Sequence, residues 1–432
     1  MKTSAPVVER SALLPFILIT SLFALWGFAN AVTDPMVTAF KKVLELNNFQ
    51  ASLVQLAFYG GYFTMALPAA LFIKRYSYKV GVLIGLALYA TGALLFYPAA
   101  MTQQFGFFLV GLYILTFGLA FLETTANPYI LSMGAAETAT QRLNLAQAFN
   151  PLGLLGGLLV AQQFVLRKLQ SDDVDYAALS ESAQATIRQA DLMVIRDPYV
   201  ALGLVIIGIF VIIAFSKMPQ SRDELPNASI GSIIRALLGK QQYTFGVLAQ
   251  VVYVGAQIMC WTYIYQYAEA IGIDNETAGY YQFVAFLLFF IGRFVCTFLL
   301  KYVNSGKLLA ILAELAIICV TLTIFVVGPI GLYALVGISF CMSLMFPTIY
   351  GIALDGLHEE EAKIGAAGLV MAIVGGALMP TLQGKLLDIG GPGYTDTLIL
   401  GVPEVNFSFI LPLMCFVLIA LYGYLISPRL RA

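Results

Sequence analysis

Apolar stretches of about twenty residues follow one another along most of this chain. A helix needs about 20 mainly apolar residues to cross a hydrocarbon core. Within lipid the backbone must satisfy its own N–H and C=O groups, so runs of this length read as helices. This ruler predicts spans near 12–40, 49–73, 79–100, 105–131, 142–166 and 197–216, then near 244–271, 276–301, 306–328, 329–355, 362–386 and 405–427. The expected fold is an all-α integral membrane protein with twelve transmembrane helices in two six-helix sets. The expected parts are an N-terminal bundle (1–216), a cytoplasmic linker (217–243) containing SRDELPNAS, and a C-terminal bundle (244–432). The polar stretch 167–196 is expected to be a long loop with at most a short surface helix. Composition agrees: 60% of the residues are hydrophobic and 11% charged, against roughly 25% charged in a soluble domain.

Several function classes drop out early. A net charge of −1 without a basic cluster gives no reason to expect a nucleic-acid partner. The five cysteines (Cys260, Cys296, Cys319, Cys341, Cys415) sit inside apolar runs and read as small packing residues. The single histidine, His358, gives little scope for a histidine metal site, so neither metal nor organic cofactor is expected. Ala29-Asn30-Ala31 loosely fits a signal-peptidase site, but the apolar run before it exceeds the roughly 7–15 residues of a signal-peptide core. It reads as the first span.

An even number of spans puts both termini on one side. If that side is the cytoplasm, the loops there hold fifteen of the 23 Lys and Arg, the opposite loops hold seven, and Arg293 lies in a span. The positive-inside rule favours this orientation. The halves also repeat. Lys74 and Lys301 are 227 residues apart, as are Asn48 and Asn275; Pro128 and Pro347 are 219 apart, as are Gly156-Gly157 and Gly375-Gly376. A constant offset that shifts once by a small deletion is what a diverged duplication leaves, and transporter folds are commonly built this way.

Ionisable residues at membrane depth are costly and mark function by default. Asp34 stands one turn after Asn30 and just before Pro35 in ANAVTDP. A carboxylate there, on a helix that proline can bend, suits proton exchange, and Asn30 and Thr33 would complete a cation site. Glu123 and Asn127 lie one turn apart in GLAFLETTANPY and offer the acceptors and donors that sugar hydroxyls need. Asn144, Gln147 and Asn150 recur every three residues in RLNLAQAFNPLGLLGG, whose Gly153-x-x-x-Gly157 pair permits close helix approach. In the second half Gln257, Trp261 and Gln266 are candidates; the Trp261 indole can stack on a sugar ring while its N–H needs an acceptor. Tyr59, Tyr62, Tyr280 and Gln282 are further candidates, Arg293 is a gating charge, and Glu314 has no assigned role.

The stretches ALWGFANAVTD, SLVQLAFYGGYF, GLAFLETTANPY, RLNLAQAFN, GAQIMCW and FFIGRF resemble the bacterial L-fucose/proton symporter family of sugar transporters within the major facilitator superfamily. The resemblance runs over nearly the whole chain. It implies a monomeric, multi-pass protein of the bacterial inner membrane that imports a hexose with a cation by alternating access. It also implies proton coupling at Asp34 and sugar recognition at Glu123. Fucose, glucose, galactose and mannose stay open, as does sodium in place of the proton. An exporter of amphipathic compounds would want a more apolar lining than the amides of spans four and five provide. A membrane-embedded enzyme would need a paired-aspartate motif, a metal set or a nucleophile–base pair, and the chain offers none of these.

Overall fold

The computed structural model describes residues 7–8, 12–44, 46, 48–170, 179–218, 229–387 and 397–426. Among the described residues, twelve helices are long and apolar enough to cross a membrane: Leu13–Thr33, Leu56–Ile73, Tyr78–Thr102, Phe105–Ser132, Ala136–Val165, Glu181–Phe215, Gln241–Ala270, Thr277–Leu299, Ser305–Phe325, Pro329–Leu354, Glu359–Leu387 and Glu404–Leu425. They are numbered below as spans one to twelve. The expected count and order of spans are met.

One expectation about the polar stretches needs correction. The sixth helix begins at Glu181, well before 197, and runs to Phe215. Its first turns are too polar for lipid but not for a helix, and Ser180 caps them by accepting from the Ala183 N–H. The supposed loop is therefore largely helical from 181 onward. Asp191 in this extension is buried and accepts from the Gln170 N–H at 2.8 Å. The region between the halves likewise contains a helix, Ile230–Gly239, capped by Ser229.

By contacts the chain divides into one unit of residues 10–129 and 152–225 and another of 1–9, 130–151 and 226–432. In the first, glycines set the helix spacing. A Cβ on Gly153 or Gly157 of span five would overlap the carbonyl of Ala24 or Phe28 on span one. Gly92 and Gly118 likewise let spans three and four touch backbone to backbone. Phe96 stacks on Tyr199 at 3.8 Å and joins span three to span six. At the end of span six, the Lys79 ammonium donates to the carbonyls of Ala214 and Ser216, each at 2.8 Å. The last carbonyls of a helix lack intrahelical partners, and a cation there also complements the helix dipole. Lys79→Ala is expected to cost about 1 kcal/mol, read as a lower unfolding midpoint in detergent. An unchanged midpoint would make the cap decorative.

The second unit repeats the seam. A Cβ on Gly375 of span eleven would meet the carbonyl of Val251 on span seven. Val251 lies 227 residues after Ala24. The carbonyls that are met thus fall in the 227-residue register, whereas Gly375 lies 222 residues after Gly153, three away from the 219-residue register that pairs it with Gly156. Tyr253 donates to the Met342 carbonyl at 3.0 Å and Tyr243 to that of Gly365 at 3.0 Å. Asn406 donates to the Tyr267 hydroxyl (3.1 Å) and to the Thr323 carbonyl (2.8 Å), and pins span twelve to spans seven and nine. A two-residue hairpin pairs Leu398–Ile399 with Val402–Pro403 around Leu400 and Gly401, both at positive φ, as a tight hairpin turn requires.

The opening of span five belongs to this second unit. Its first segment, Ala139–Gln147, is followed after a break at Ala148 and Phe149 by Asn150–Val160. Gln141 donates to the Thr297 carbonyl at 3.4 Å, Asn144 to the Thr348 hydroxyl at 3.2 Å, and Phe149 meets Phe294 edge-on. Arg142 is fully buried here. Its guanidinium donates to the carbonyls of Ile130 (2.7 Å), Leu131 (2.5 Å), Val7 (3.0 Å) and Ala135 (3.4 Å), and to the Thr138 hydroxyl (3.2 Å).

Candidate functional site

In the unit of residues 10–129 and 152–225, span one carries Trp26, Asn30 and Asp34 at intervals of four, which is one face of a helix. Asp34 lies within the continuous helix Leu13–Val43, but its side chain lies outside the described residues. Asn30 is half-buried. Thr33 is buried; its hydroxyl donates to the Ala29 carbonyl at 2.8 Å and lies 3.3 Å from the Tyr199 hydroxyl. Trp26, which the sequence reading passed over, is 2% exposed, and its indole N–H has no partner. The available signal was its place one turn before Asn30.

Span four supplies Glu123, only 8% exposed. Its Oε1 accepts from the Tyr62 hydroxyl at 3.4 Å, while Oε2 is buried without a partner among the described residues. The neighbouring Thr124 hydroxyl is also buried and unpartnered. Thr125 by contrast spends its hydroxyl on the Phe121 carbonyl at 2.6 Å. The Asn127 amide donates to the Glu123 carbonyl at 3.0 Å, so part of its hydrogen-bonding capacity goes to its own helix. Tyr59 is half-buried, edge-on to Phe58. The structure therefore brings Tyr62 to Glu123, and leaves Oε2 of Glu123 and, separately, the Thr124 hydroxyl without partners among the described residues. A buried acceptor left unmade costs about 1–3 kcal/mol, so such a group is favoured where a ligand completes it.

In the other unit, Asn144 is buried and donates to Thr140 and Thr348, with its Oδ1 unpartnered. Gln147 is buried and Asn150 half-buried. Trp261 is half-buried; its indole N–H donates to the buried Ser339 hydroxyl at 3.1 Å, so the acceptor its placement demands is present. Its ring meets Phe286 and Phe289 edge-on. The Arg293 guanidinium lies over the same Phe289 ring, 5.0 Å from its centre, so one aromatic side chain links Trp261 and Arg293. Arg293 is 2% exposed and two of its nitrogens have no partner. Gln257 and Gln266 are half-buried, the latter with an unpartnered Oε1. Gln282 is buried, whereas Tyr280 is exposed. Glu314 accepts from the Tyr424 hydroxyl at 2.8 Å. Gln250, not singled out from the sequence, is fully buried with both amide atoms unpartnered, seven residues before Gln257 and so on the same helix face. Among the described residues no group of His, Cys, Asp or Glu is arranged to hold a metal ion.

The model of the Major Facilitator Superfamily matches residues 16–380. The chain is 55% identical over 428 residues to the L-fucose-proton symporter of Haemophilus influenzae, covering 98% of each chain. It is 34% identical to the L-fucose-proton symporter of Escherichia coli, over 96% of this chain and 93% of that one. It is 32% identical to a glucose/galactose transporter of Brucella abortus, over 94% and 92%. Among solved structures, that of the Escherichia coli fucose:proton symporter FucP superposes with a TM-score of 0.85 at 33% identity, covering 98% of this chain and all of the other. The twelve apolar helices and these bacterial relatives make it a multi-pass protein of the bacterial inner membrane. Matched by the superfamily model over most of its length and by these relatives almost end to end, the chain belongs to the Major Facilitator Superfamily.

Proposed function

We propose that the chain imports L-fucose, or a closely related hexose, together with a proton. The observation that carries this reading is 55% identity, over 98% of both chains, to an L-fucose-proton symporter. The buried Glu123 carboxylate, with one oxygen unpartnered among the described residues, supports it chemically, because a sugar hydroxyl can donate to that oxygen. Its relatives are transporters, and the chain is a transporter rather than an enzyme.

Asp34 is read as the proton-coupling carboxylate, with Asn30 and Thr33 beside it. Glu123, Asn127, Asn144, Gln147, Asn150, Gln257, Trp261, Gln266, Tyr59 and Tyr280 are read as the sugar-recognition set, and Arg293 as a gating charge. The protein works as a monomer with both termini in the cytoplasm; the halves 1–216 and 244–432, joined through 217–243, are duplicated six-helix bundles. These assignments rest on residue type, spacing and resemblance.

The test is uptake of labelled L-fucose, D-galactose and D-glucose into proteoliposomes under separately imposed proton and sodium gradients. Proton-driven accumulation of L-fucose is expected. Asp34→Asn should abolish uphill accumulation while leaving exchange of sugar for sugar measurable, because exchange needs no net proton release. Sodium-driven uptake, or an Asp34→Asn protein that still concentrates sugar, would overturn the coupling assignment.

A further inference from the structure

Span two approaches span four through Gly60 and Gly61. A Cβ on Gly61 would fall 2.8 Å from the Thr116 Cβ, so only glycine permits that contact. The next residue, Tyr62, is carried to Glu123, two helical turns beyond Thr116 on span four. Phe58, one turn before Tyr62 on span two, packs edge-on against the Tyr62 ring with centroids 5.7 Å apart. The tyrosine is 2% exposed, so its ring has little room to turn. Its hydroxyl has one hydrogen bond among the described residues, to Oε1 of Glu123.

The two carboxylate oxygens of Glu123 are thus made unequal. One is taken by a phenol on a packed ring; the other, Oε2, has no partner among the described residues. A carboxylate on a free rotor would present either oxygen in many orientations, whereas one held at Oε1 presents Oε2 in a single direction. We propose that Tyr62 is a positioning residue: it orients Glu123 so that Oε2 alone meets the substrate hydroxyl. At 3.4 Å the bond is long for two oxygens, and hydrogen bonds in functional sites often tighten only when the reacting partner engages. Tyr62 acts through Glu123 and needs no contact with sugar. The inference rests on the sugar-symport reading for its consequence, but the Tyr62–Glu123 bond can be measured without any sugar.

Tyr62→Phe keeps the ring and removes the bond. In infrared difference spectra, the Glu123 carboxyl band is the one lost in Glu123→Gln; it is expected to shift in Tyr62→Phe, because losing a hydrogen bond changes the carboxyl stretch. In exchange assays with L-fucose, Tyr62→Phe is expected to raise KM by about 10-fold, the scale of one hydrogen bond to a charged group, in a protein that still folds. In a Glu123→Ala background, where the acceptor is gone, the same substitution should change KM less than about 2-fold, because contacting residues are non-additive. An unshifted band overturns the proposal whatever the transport data show. A shifted band with an unaltered KM in a fucose-transporting protein also overturns it, since the bond would then be structural only. A wild type that exchanges none of the three sugars removes the symport reading, and with it the role in recognition, while the band shift still reports the bond.

Discussion

Gly153→Ala is expected to prevent the protein from folding into a stable form, whereas Gly156→Ala three residues away is expected to be harmless. The added methyl at 153 would sit on the carbonyl oxygen of Ala24 and press on the Phe28 nitrogen; at 156 nothing lies within 4 Å. The neighbours at 153 are backbone atoms of a packed helix and cannot rotate away as a side-chain tip would. Spans one and five must then separate along their length. Overpacking typically costs about 1–3 kcal/mol even where side chains can yield, and a backbone overlap belongs at or above the top of that range. The Gly156 variant removes a helix-interior glycine, which favours the helix by roughly 0.5–1 kcal/mol. Size-exclusion profiles and unfolding midpoints in detergent make the comparison. If the two variants behave alike, the seam between spans one and five is not what fixes their distance.

The second large effect is expected at Arg142. Arg142→Ala strands the carbonyls of Ile130, Leu131, Ala135 and Val7 around a buried hole. Losing a buried charged partner in this way costs on the order of 3–5 kcal/mol. Arg142→Lys should recover only a small part of that. A lysine offers a single ammonium, whereas the guanidinium is a planar fork whose Nε and two terminal nitrogens each reach a different acceptor. The unfolding midpoint should fall sharply in both variants, and protease should cut at residues 133–138 earlier than in wild type. A lysine variant as stable as wild type would mean that charge, not geometry, holds the segment.

These two sites also mark what can and cannot be read from sequence here. The Gly153-x-x-x-Gly157 spacing announces a close helix contact because only missing side chains allow it, and the seam lies where the spacing points. The spans are legible because a bilayer imposes one length and one polarity on every crossing. Trp261 was legible in part: an indole at depth needs an acceptor, though nothing in the sequence names Ser339. Arg142 was not legible. An arginine after a polar turn looks like one more cytoplasmic loop charge, and its burial depends on carbonyls brought together by folding. The early start of the sixth helix was missed because a hydropathy ruler reports lipid exposure, while a capped helix can begin in water at Ser180. Tyr62 stood among weaker candidates because a tyrosine in an apolar run gives no hint of which carboxylate it will meet.

The anchor at the end of span six has one further property: the Lys79 ammonium donates to main-chain carbonyls, those of Ala214 and Ser216. A carbonyl takes up no proton across the physiological range, whereas an aspartate or glutamate partner would be neutralised as the surroundings acidify. Anchors of this kind keep their acceptors when local acidity rises. For a proton-coupled carrier this is chemical insulation: a change in acidity cannot loosen the bonds that hold this helix end.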